Sequence, residues 1–569
     1  MRELRSSSQI LFSHLPAQTV DIQGRIWKVD GWTNPVAIPV DSDAIRRRLL
    51  SAVDIWRTNN TDNNLSADLH AGRPVEVIGV NPEQGVKVDT FPSVWRCGAC
   101  RRIRNQRGRC ECGSSSWRQM HFVAFHDCGW VDSPFVPRCP AHGQVAVRHS
   151  SSSSVRDLDF HCPVCNRSLP SGLGGGRPCP ACHQPSVVVN VHRAASVYTA
   201  HSFTMVNPAR PEQLRALLAD GGKDKCLRWV LADMPTDRPE SQAPTRQSLL
   251  DTLIGQGLDP AVAQIAADSA AAGGGLADAP APLPLQPAAR DAAETGALEI
   301  ALAMYEGRRR ASGLPGDLVG DELRTLYQHR YLPAIAAAGL LDVDHVDRFP
   351  VLRAVYGYTR GGKPAGETRL VAFSGRGRTL RLHGDANETE ALYLRLDPVR
   401  VAAWLQQRGL LPAAPGDPRD ARLAILSAVN IPARGDDDRQ PTAGTALLTL
   451  LHSYAHRFIR QLAVLAGLDR ESLAEYLVPE HLGVFIYASN RGDFVLGGLQ
   501  SVFETELDRV LDLQLDAETR CPLDPGCDRA SGACLACLHL GEPSCSYYNR
   551  FLDRKTLFGN RGYLRRERA

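Results

Sequence analysis

The pattern of hydrophobic and polar positions divides the chain into segments typical of strands and segments typical of helices. Alternation of the strand kind marks residues 22–29, 75–80, 351–360, 368–373 and 391–396, and a short apolar run marks residues 483–488. Apolar residues at helical spacing mark residues 43–56, 210–218, 247–254, 260–272, 297–305, 321–338, 399–407, 446–467 and 501–514. Because both kinds of element occur along the whole chain, the pattern predicts an α+β protein.

The cysteines change this picture, because they are concentrated in two islands. Of the 16 cysteines, ten lie at 97–182 and five at 521–545, with Cys226 between the islands. Extracellular disulfide scaffolds are usually small and cysteine-dense throughout, whereas paired Cys-x-x-Cys knuckles in a large chain indicate zinc sites in a reducing compartment. Four thiolate or imidazole ligands complete a closed structural zinc site. The alternative is reduced thiols packed in a core.

The first island predicts two zinc ribbons with a mixed site between them. The predicted ligands are Cys97, Cys100, Cys110 and Cys112 for the first ribbon, Cys162, Cys165, Cys179 and Cys182 for the second, and Cys128, Cys139 and His142, with His126 as a further candidate, for the mixed site. A partly degenerate mixed site without metal is the alternative for residues 126–142. Residues 171–176 are expected to form a loop of the second ribbon, because no Lys-Ser/Thr pair follows to make them a phosphate cradle.

The second island predicts one further zinc site near the C-terminus. Cys534 and Cys537 form its central knuckle, and three cysteines compete for the two remaining positions. We favour Cys521 and Cys527 over Cys545, although the spacing leaves this choice open. About three to four structural zinc ions per chain are therefore expected. One such ion can supply on the order of 10 kcal/mol of folding free energy.

Two other groups of ionisable residues are candidate metal ligands. His452 and His456 lie four residues apart and share one helix face. Ser453 occupies the position of the glutamate in the metalloprotease signature, so a structural or interface role is favoured for the two histidines. A carboxylate site is less favoured than a solvated strand and a helix cap for three acidic residues, Glu388, Glu390 and Asp397.

The net charge of the whole chain does not indicate nucleic-acid binding, but one local cluster of basic residues does. The net charge of +3 is nearly neutral for 569 residues. The loop of the first ribbon is rich in arginine, whose guanidinium group suits phosphate oxygens. A solvated surface or a contact with an acidic protein would explain the same composition. The candidate nucleic-acid-binding residues are Arg101, Arg102, Arg104, Arg107 and Arg109.

Several signatures of enzymes and of membrane proteins are not found in the sequence. It contains no Gly-x4-Gly-Lys-Ser/Thr motif, no Asp-Glu-x-Asp/His box and no His-x-Lys repeat of phospholipase-type nucleases. No run of 18 apolar residues occurs, and the first residues carry no apolar core of signal-peptide length. We therefore expect a cytoplasmic protein that has no motor activity and does not span a membrane.

Together these patterns predict a multidomain α+β protein with zinc-ribbon modules near the N-terminus, a mixed α/β centre and a C-terminal α/β domain clamped by cysteines. The predicted regions are an N-terminal mixed β/α region at 1–95, a zinc-ribbon module at 96–205, a central α/β region at 206–440 and a zinc-binding domain at 441–569. Residues 273–287 are rich in Ala, Gly and Pro and are expected to form a linker.

The C-terminal part of the chain carries a set of motifs at residues 452–456, 484–487, 497–499, the cysteines at 521–545, and residues 549–554. In these motifs it resembles the DrmB family of the DISARM phage-defence system. This part is also similar to the zinc-binding domain of unknown function at the end of MrfA-type helicases. Further matching residues lie at 95–100, 121–124, 162–165, 193–198, 357–360 and 394–398.

The resemblance implies a bacterial antiviral role with partners. Proteins of the DrmB family act with a helicase subunit, DrmA, which carries the ATPase. Their complex is understood to bind DNA, preferring free ends or single strands, and to restrict phage DNA beside a methyltransferase and other defence subunits. The chain would then be an accessory subunit and not an enzyme. Two alternatives remain: a protein-only scaffold, and a nuclease or hydrolase with an unrecognised site around Glu388, Glu390, His452 or His456.

Overall fold

The structure is a computed structural model in which most of the chain can be described. It describes residues 2–564 except 4–9, 12, 149–154, 207–210, 220, 237–238, 240–245, 256, 273–280, 318–320, 365, 376–378, 434–435, 437–439, 490–496, 516–520, 531, 542–543 and 559. Most of the predicted linker at 273–287 lies outside the described residues, and a helix begins at Pro287.

The chain divides into two compact units, and each is discontinuous in sequence. The first unit comprises Met1–Phe203 and Arg353–Asp385, and the second comprises Thr204–Leu352 and Ala386–Ala569. The boundaries fall inside three strands, Thr199–Val206, Leu340–Thr359 and Leu380–Leu396.

The first unit consists mainly of short strands. Its strands are Arg2–Glu3, Thr19–Ile22, Arg25–Trp32, Val36–Ala37, Val75–Gly79, Val86–Thr90, Trp95–Cys97, Ile103–Arg104, Trp117–Gln119, Phe122–Phe125, Val131–Asp132, Ala146–Val147, Phe160–His161, Ser168–Leu169, Val188–Val191 and Val371–Ala372. Its helices are Ser42–Thr58 and Leu65–His70, with a 3-10 turn at Val155–Asp157. The strand pattern predicted at 22–29 is part of an antiparallel hairpin, because Gln23 and Gly24 turn the chain with φ of 51° and 71°.

The longer helix of the first unit, Ser42–Thr58, follows directly from its sequence. The carboxylate of Asp41 caps it by accepting from the backbone N–H groups of Asp43 and Ala44 at 2.9 and 3.3 Å. Its buried residues recur at helical spacing, and they are Ile45, Leu49, Ala52, Val53 and Trp56.

The cysteine-rich part of the first unit is built on three small antiparallel sheets. The strand orders are 103–104, 95–97, 117–119 in the first sheet; 131–132, 122–125, 188–191 in the second; and 146–147, 160–161, 168–169 in the third. Such short sheets bury little apolar surface, and metal ions commonly supply the missing stability in modules of this kind.

The second unit packs helices against antiparallel strands. Its helices are Pro211–Ala219, Gly222–Leu231, Arg246–Gly255, Pro260–Ala272, Pro287–Ala303, Leu314–Asp317, Asp321–Ala337, Pro398–Gln407, Pro418–Ala428, Ala443–Ala466, Gly498–Thr505, Leu507–Leu515, Gly526–Ala530 and Arg554–Phe558. Its other strands are Arg308–Arg310, Leu473–Val478 and Gly483–Ala488, and its 3-10 turns are Ala311–Gly313, Arg470–Ser472 and Pro479–His481.

The helix Ala443–Ala466 lies at the centre of the second unit's core. Thr442 caps it by accepting from the N–H of Thr445 at 3.0 Å, and Gly467 ends it with a left-handed φ of 66°. Its apolar face is fully buried against the strand Gly483–Ala488, which pairs with both Leu473–Val478 and residues 391–395. In the part of the chain that the structure describes, no helix combines the length and the apolarity needed to cross a membrane.

Candidate metal centres

Four tight turns in the first unit present eight of the predicted ligands, and they share one backbone geometry. In each turn, the N–H of the first cysteine donates to the carbonyl five residues later, and its own carbonyl accepts from the N–H four residues later. The first cysteines are Cys97, Cys139, Cys162 and Cys179. The residue four positions on takes a left-handed φ between 55° and 63° in every case: Arg101, Gly143, Asn166 and His183. Each turn thereby supplies the ligands at its first and fourth positions to one centre.

The first centre contains the four cysteines predicted for the first ribbon. Cys97 and Cys112 Sγ atoms lie 3.7 Å apart, and those of Cys100 and Cys110 lie 3.5 Å apart. A tetrahedral ion with metal–sulfur bonds near 2.3 Å would hold its sulfurs about 3.8 Å apart, whereas a disulfide would hold them at about 2.05 Å. Among the described residues no cysteines form a disulfide. The spacing therefore fits a four-thiolate metal site.

The other ligands of the first island are grouped differently from the prediction. The structure does not place the knuckle at 162–165 with the knuckle at 179–182. Instead, it forms two interleaved mixed clusters, one of His126, Cys128, Cys179 and Cys182, and the other of Cys139, His142, Cys162 and Cys165. The mixed site predicted from Cys128, Cys139 and His142 is therefore divided between two centres, and His126 joins one of them.

Strand pairing explains the interleaved grouping. Phe125 pairs with Val188, so the end of one strand, which leads into His126 and Cys128, lies beside the strand that follows the knuckle at 179–182. Ala146 pairs with His161 in the same way, and this brings the knuckle at 139–142 to the knuckle at 162–165. Sequence spacing alone favours neighbouring knuckles, whereas these antiparallel pairings join each knuckle to a more distant one.

The ligand atoms of the two mixed centres have the spacing of tetrahedral sites. Cys128 and Cys179 Sγ lie 3.6 Å apart, and Cys182 Sγ lies 3.4 Å from His126 Nδ1. In the other centre His142 Nδ1 lies 3.5 and 3.6 Å from the two nearest sulfurs. The remaining ring nitrogen of His126, Nε2, donates to the carbonyl of Pro185 at 3.3 Å. Nδ1 is therefore unprotonated in the neutral ring, and it accepts from the backbone N–H of Cys128 at 3.3 Å.

At Cys97 and Cys139, the first cysteines of two knuckles, the surroundings favour the thiolate form, whereas burial raises the pKa of Cys100. Burial raises the pKa of Cys97, but backbone N–H groups of Cys100 and Ala99 outweigh burial and lower this pKa to about 6. A hydrogen bond with His142 lowers the pKa of Cys139 to about 6. Because the thiolate is the metal-binding form, both shifts favour metal binding at neutral pH.

The fourth centre lies in the second unit and contains Cys521, Cys527, Cys534 and Cys537. Sγ–Sγ distances of 3.4 Å for 521–534, 3.7 Å for 527–537 and 3.7 Å for 534–537 match a tetrahedral arrangement. Arg554 supports this centre, because its Nη1 lies 3.3 Å from Cys527 Sγ and its Nη2 lies 2.7 Å from both carboxylate oxygens of Asp524. The centre thus connects the cysteine segment to the start of the helix Arg554–Phe558.

Counting bound ions in cysteine variants tests the interleaved grouping. We expect Cys128→Ser and Cys179→Ser each to lose one metal ion, and the double variant to lose the same single ion, because one cluster holds both residues. The double variant Cys162→Ser/Cys179→Ser should lose two ions. Native mass spectrometry of the full chain gives these counts. One ion lost by the 162/179 pair and two by the 128/179 pair would contradict the structure.

The structure separates the candidate nucleic-acid-binding arginines into two kinds. Arg102 and Arg104 both pair with Glu111, with 2.6 Å between Arg102 Nη1 and Glu111 Oε2. Arg107 lies over the ring of Trp95, with its Cζ 4.7 Å from the ring centroid. Arg101, Arg107 and Arg109 have exposed side chains.

Two further arginines lie on the first small sheet, and they were not among the predicted residues. Arg96 and Arg118 occupy directly opposed positions on neighbouring strands of the first small sheet. Like charges at directly opposed positions destabilise a sheet. Such an arrangement is favourable when an anion binds across the pair. Recognising it requires the strand register, which the sequence does not give.

The acidic residues considered as a second metal site have other contacts. Glu390 accepts from the backbone N–H groups of Gly497 and Gln500 at 3.1 and 3.0 Å, so its carboxylate caps the helix Gly498–Thr505. Glu388 pairs with Arg348 at 2.6 Å. Asp397 caps the helix Pro398–Gln407. Asp397 thus has the predicted helix-capping role, but the predicted solvated strand is wrong for Glu390, which is buried.

Comparisons with known proteins agree with the resemblance predicted from the sequence motifs. Residues 6–199 match a family model described as a domain of unknown function, DUF8724. The chain is 28% identical over 193 residues to the DISARM protein DrmB of Bacillus paralicheniformis. The aligned segment covers 31% of this chain and 32% of the length of that relative. The likeness to DrmB is thus confirmed over about a third of each chain.

Proposed function

We propose that this chain is a zinc-stabilised subunit, without motor activity, of an antiphage complex of the DISARM kind that restricts DNA. In this proposal it supports a helicase partner and contributes to DNA binding, in the cytoplasm of a bacterium. The observation that carries the proposal is the 193-residue similarity to the DISARM protein DrmB. Other defence subunits would be further partners.

The four centres described above supply the stability of this subunit when zinc is bound. Two are four-cysteine sets and two are sets of three cysteines and one histidine, which are typical ligand sets of structural zinc. Four protein ligands leave no open position for a substrate or an activated water. The zinc ions would therefore hold the small sheets and the C-terminal segment in shape and take no part in chemistry.

The basic surface beside the first centre is the proposed site of DNA contact. Exposed Arg101, Arg107 and Arg109 project from the turns of this centre. Guanidinium groups bind phosphate oxygens with fork-like geometry and without base specificity. This surface fits binding to the DNA backbone, in agreement with a complex that restricts phage DNA.

A charge-removal variant tests the DNA contact. We expect Arg101→Ala/Arg107→Ala/Arg109→Ala to weaken binding of single-stranded DNA by roughly tenfold or more, and to lower the slope of log K against log salt by about 2. Fluorescence anisotropy with labelled oligonucleotides of two unrelated sequences measures both quantities. The effect should be equal for the two sequences.

The matched control removes three exposed arginines that pair with nearby acids elsewhere, Arg57, Arg324 and Arg509. The control should bind DNA as the unmodified chain does. An equal loss of DNA affinity in both triple variants would show that affinity depends only on the net charge of the chain, which would contradict a local site. Failure of the unmodified chain to bind DNA would favour a protein-only scaffold, and metal-dependent cleavage of the oligonucleotide would favour a nuclease.

A further inference from the structure

A fifth group of ligand-type side chains lies inside the second unit, apart from the four-cysteine centre. The helix Ala443–Ala466 supplies His452 and His456, the strand Leu473–Val478 supplies Glu475, and the segment after residue 541 supplies Cys545. One ligand atom from each of the four residues lies within 4.8 Å of all the others. Three separate stretches of chain thus meet at one point.

The hydrogen bonds of the two histidines fix which nitrogen faces this point. Nδ1 of His452 donates to the carbonyl of Phe551 at 3.2 Å, and Nδ1 of His456 donates to the carbonyl of Leu538 at 2.9 Å. Because a carbonyl can only accept, Nδ1 carries the hydrogen in both rings, and each neutral ring presents the lone pair of Nε2. Metal-binding histidines are commonly oriented in this way by a backbone carbonyl.

Both Nε2 atoms face the carboxylate of Glu475. The distances are 3.0 Å from His452 Nε2 to Oε1 and 3.5 Å from His456 Nε2 to Oε2. In the described part of the chain, His456 Nε2 and Glu475 Oε2 are buried without a hydrogen-bond partner. Lone pairs that face a carboxylate in a water-free interior repel one another, and a cation between them removes this cost.

The sulfur of Cys545 accepts backbone hydrogen bonds of the same kind as a sulfur of the other C-terminal centre. Cys545 Sγ accepts from the backbone N–H groups of Tyr547 at 3.4 Å and Asn549 at 3.2 Å, and it lies 3.3 Å from His452 Nε2. In the four-cysteine centre, Cys521 Sγ accepts from the N–H of Leu523 at 3.4 Å. N–H donors stabilise negative charge on sulfur.

We propose that His452, His456, Glu475 and Cys545 bind one divalent ion of the zinc class. Two imidazoles, one thiolate and one carboxylate match the nitrogen, sulfur and oxygen ligands that Zn²⁺ takes, and a thiolate disfavours Mg²⁺ and Ca²⁺. The four residues are at most 8% exposed, so the ion is closed off from bulk water. The site is structural, and it ties the central helix to the edge strand and to the C-terminal segment.

Metal counting on the full chain tests this site. We expect Cys545→Ser and the double variant Cys545→Ser/Glu475→Gln each to lose the same single ion, as measured by native mass spectrometry and by elemental analysis. His481→Gln is the matched control, because His481 is equally buried, bonds the carbonyl of Ala293 at 2.7 Å and belongs to none of the clusters found among the described residues. It should keep every ion. A folded Cys545→Ser variant with an unchanged metal count overturns the proposal.

A second measurement does not depend on the folding of any variant. Crystals of the unmodified chain, diffracted on both sides of the zinc absorption edge, should give an anomalous peak between the four ligand atoms. The four other centres provide internal references for its height. Peaks at those centres and none at this one would mean that the cluster is a proton-sharing polar group, and would overturn the proposal independently of the DNA-binding role.

Discussion

Replacing Cys534 with serine is expected to unfold the C-terminal cysteine segment and to release one metal ion. The Sγ atom of Cys534 lies 3.4 Å from that of Cys521 and 3.7 Å from that of Cys537. Its replacement therefore removes one of the four ligands of the metal centre. A structural zinc supplies on the order of 10 kcal/mol, which is comparable with the whole stability of a domain. Limited proteolysis should show new cleavage near residues 521–564, and a pull-down should show loss of the helicase partner.

Cys226→Ser is the matched control for this variant. Cys226 is completely buried in the apolar core of the second unit and belongs to none of the metal clusters among the described residues. Its replacement should cost about 1–3 kcal/mol, because a buried hydroxyl needs a partner that an apolar core does not offer, and it should leave the metal count unchanged. Equal proteolysis of both variants, or an intact helicase complex with Cys534→Ser, would contradict a clamping role for the C-terminal centre.

The sequence predicts the local parts of the metal centres well, because each knuckle is a short-range feature. Ligands three residues apart fix one turn, and that turn is the same at all four knuckles of the first unit. Which knuckles meet depends instead on strand register, such as the pairing of Phe125 with Val188. Register is a long-range property, so the interleaved grouping could not be predicted from spacing.

The buried cluster of the second unit shows the same limit. The i, i+4 spacing of His452 and His456 is visible in the sequence, but Glu475 and Cys545 lie 19 and 89 residues after His456. The pairing of Glu475 with Ile486 in the strand ladder places its side chain on the face toward the helix. A glutamate inside an apolar strand is therefore the one local signal that could have indicated the site.

The burial of charged side chains is a second feature that strand periodicity does not predict. Alternation along residues 391–396 assigns Arg395 to the polar face of its strand, yet this side chain is only 1% exposed. Its Nε lies 2.9 Å from Asp344 Oδ2, and Asp344 is fully buried. Arg308 contacts the other oxygen of Asp344 at 2.9 Å. Both faces of this strand are covered by protein, so polarity does not report exposure there.

Arg395→Met is expected to lower the free energy of unfolding of the second unit by about 3–5 kcal/mol, because it leaves buried carboxylates with too few cations. Burial alone would raise the pKa of Asp344, but Arg395, Arg308 and Arg310 hold this pKa below its usual value. Without Arg395 the carboxylate keeps its desolvation cost and loses its largest compensation. Urea unfolding of the full chain, followed by tryptophan fluorescence and by hydrogen exchange of residues 340–352 and 386–396, measures the loss.

Arg348→Met provides the comparison, since Arg348 pairs with Glu306 and Glu388 at 3.0 and 2.6 Å but is 45% exposed. An exposed pair contributes about 0–1 kcal/mol, so this variant should unfold almost as the unmodified chain does. The double variant Arg395→Met/Asp344→Leu should recover part of the stability lost by Arg395→Met, because it removes the uncompensated charge as well. Equal stability of the two single variants would mean that water reaches Asp344 and that the network is not a closed, buried one.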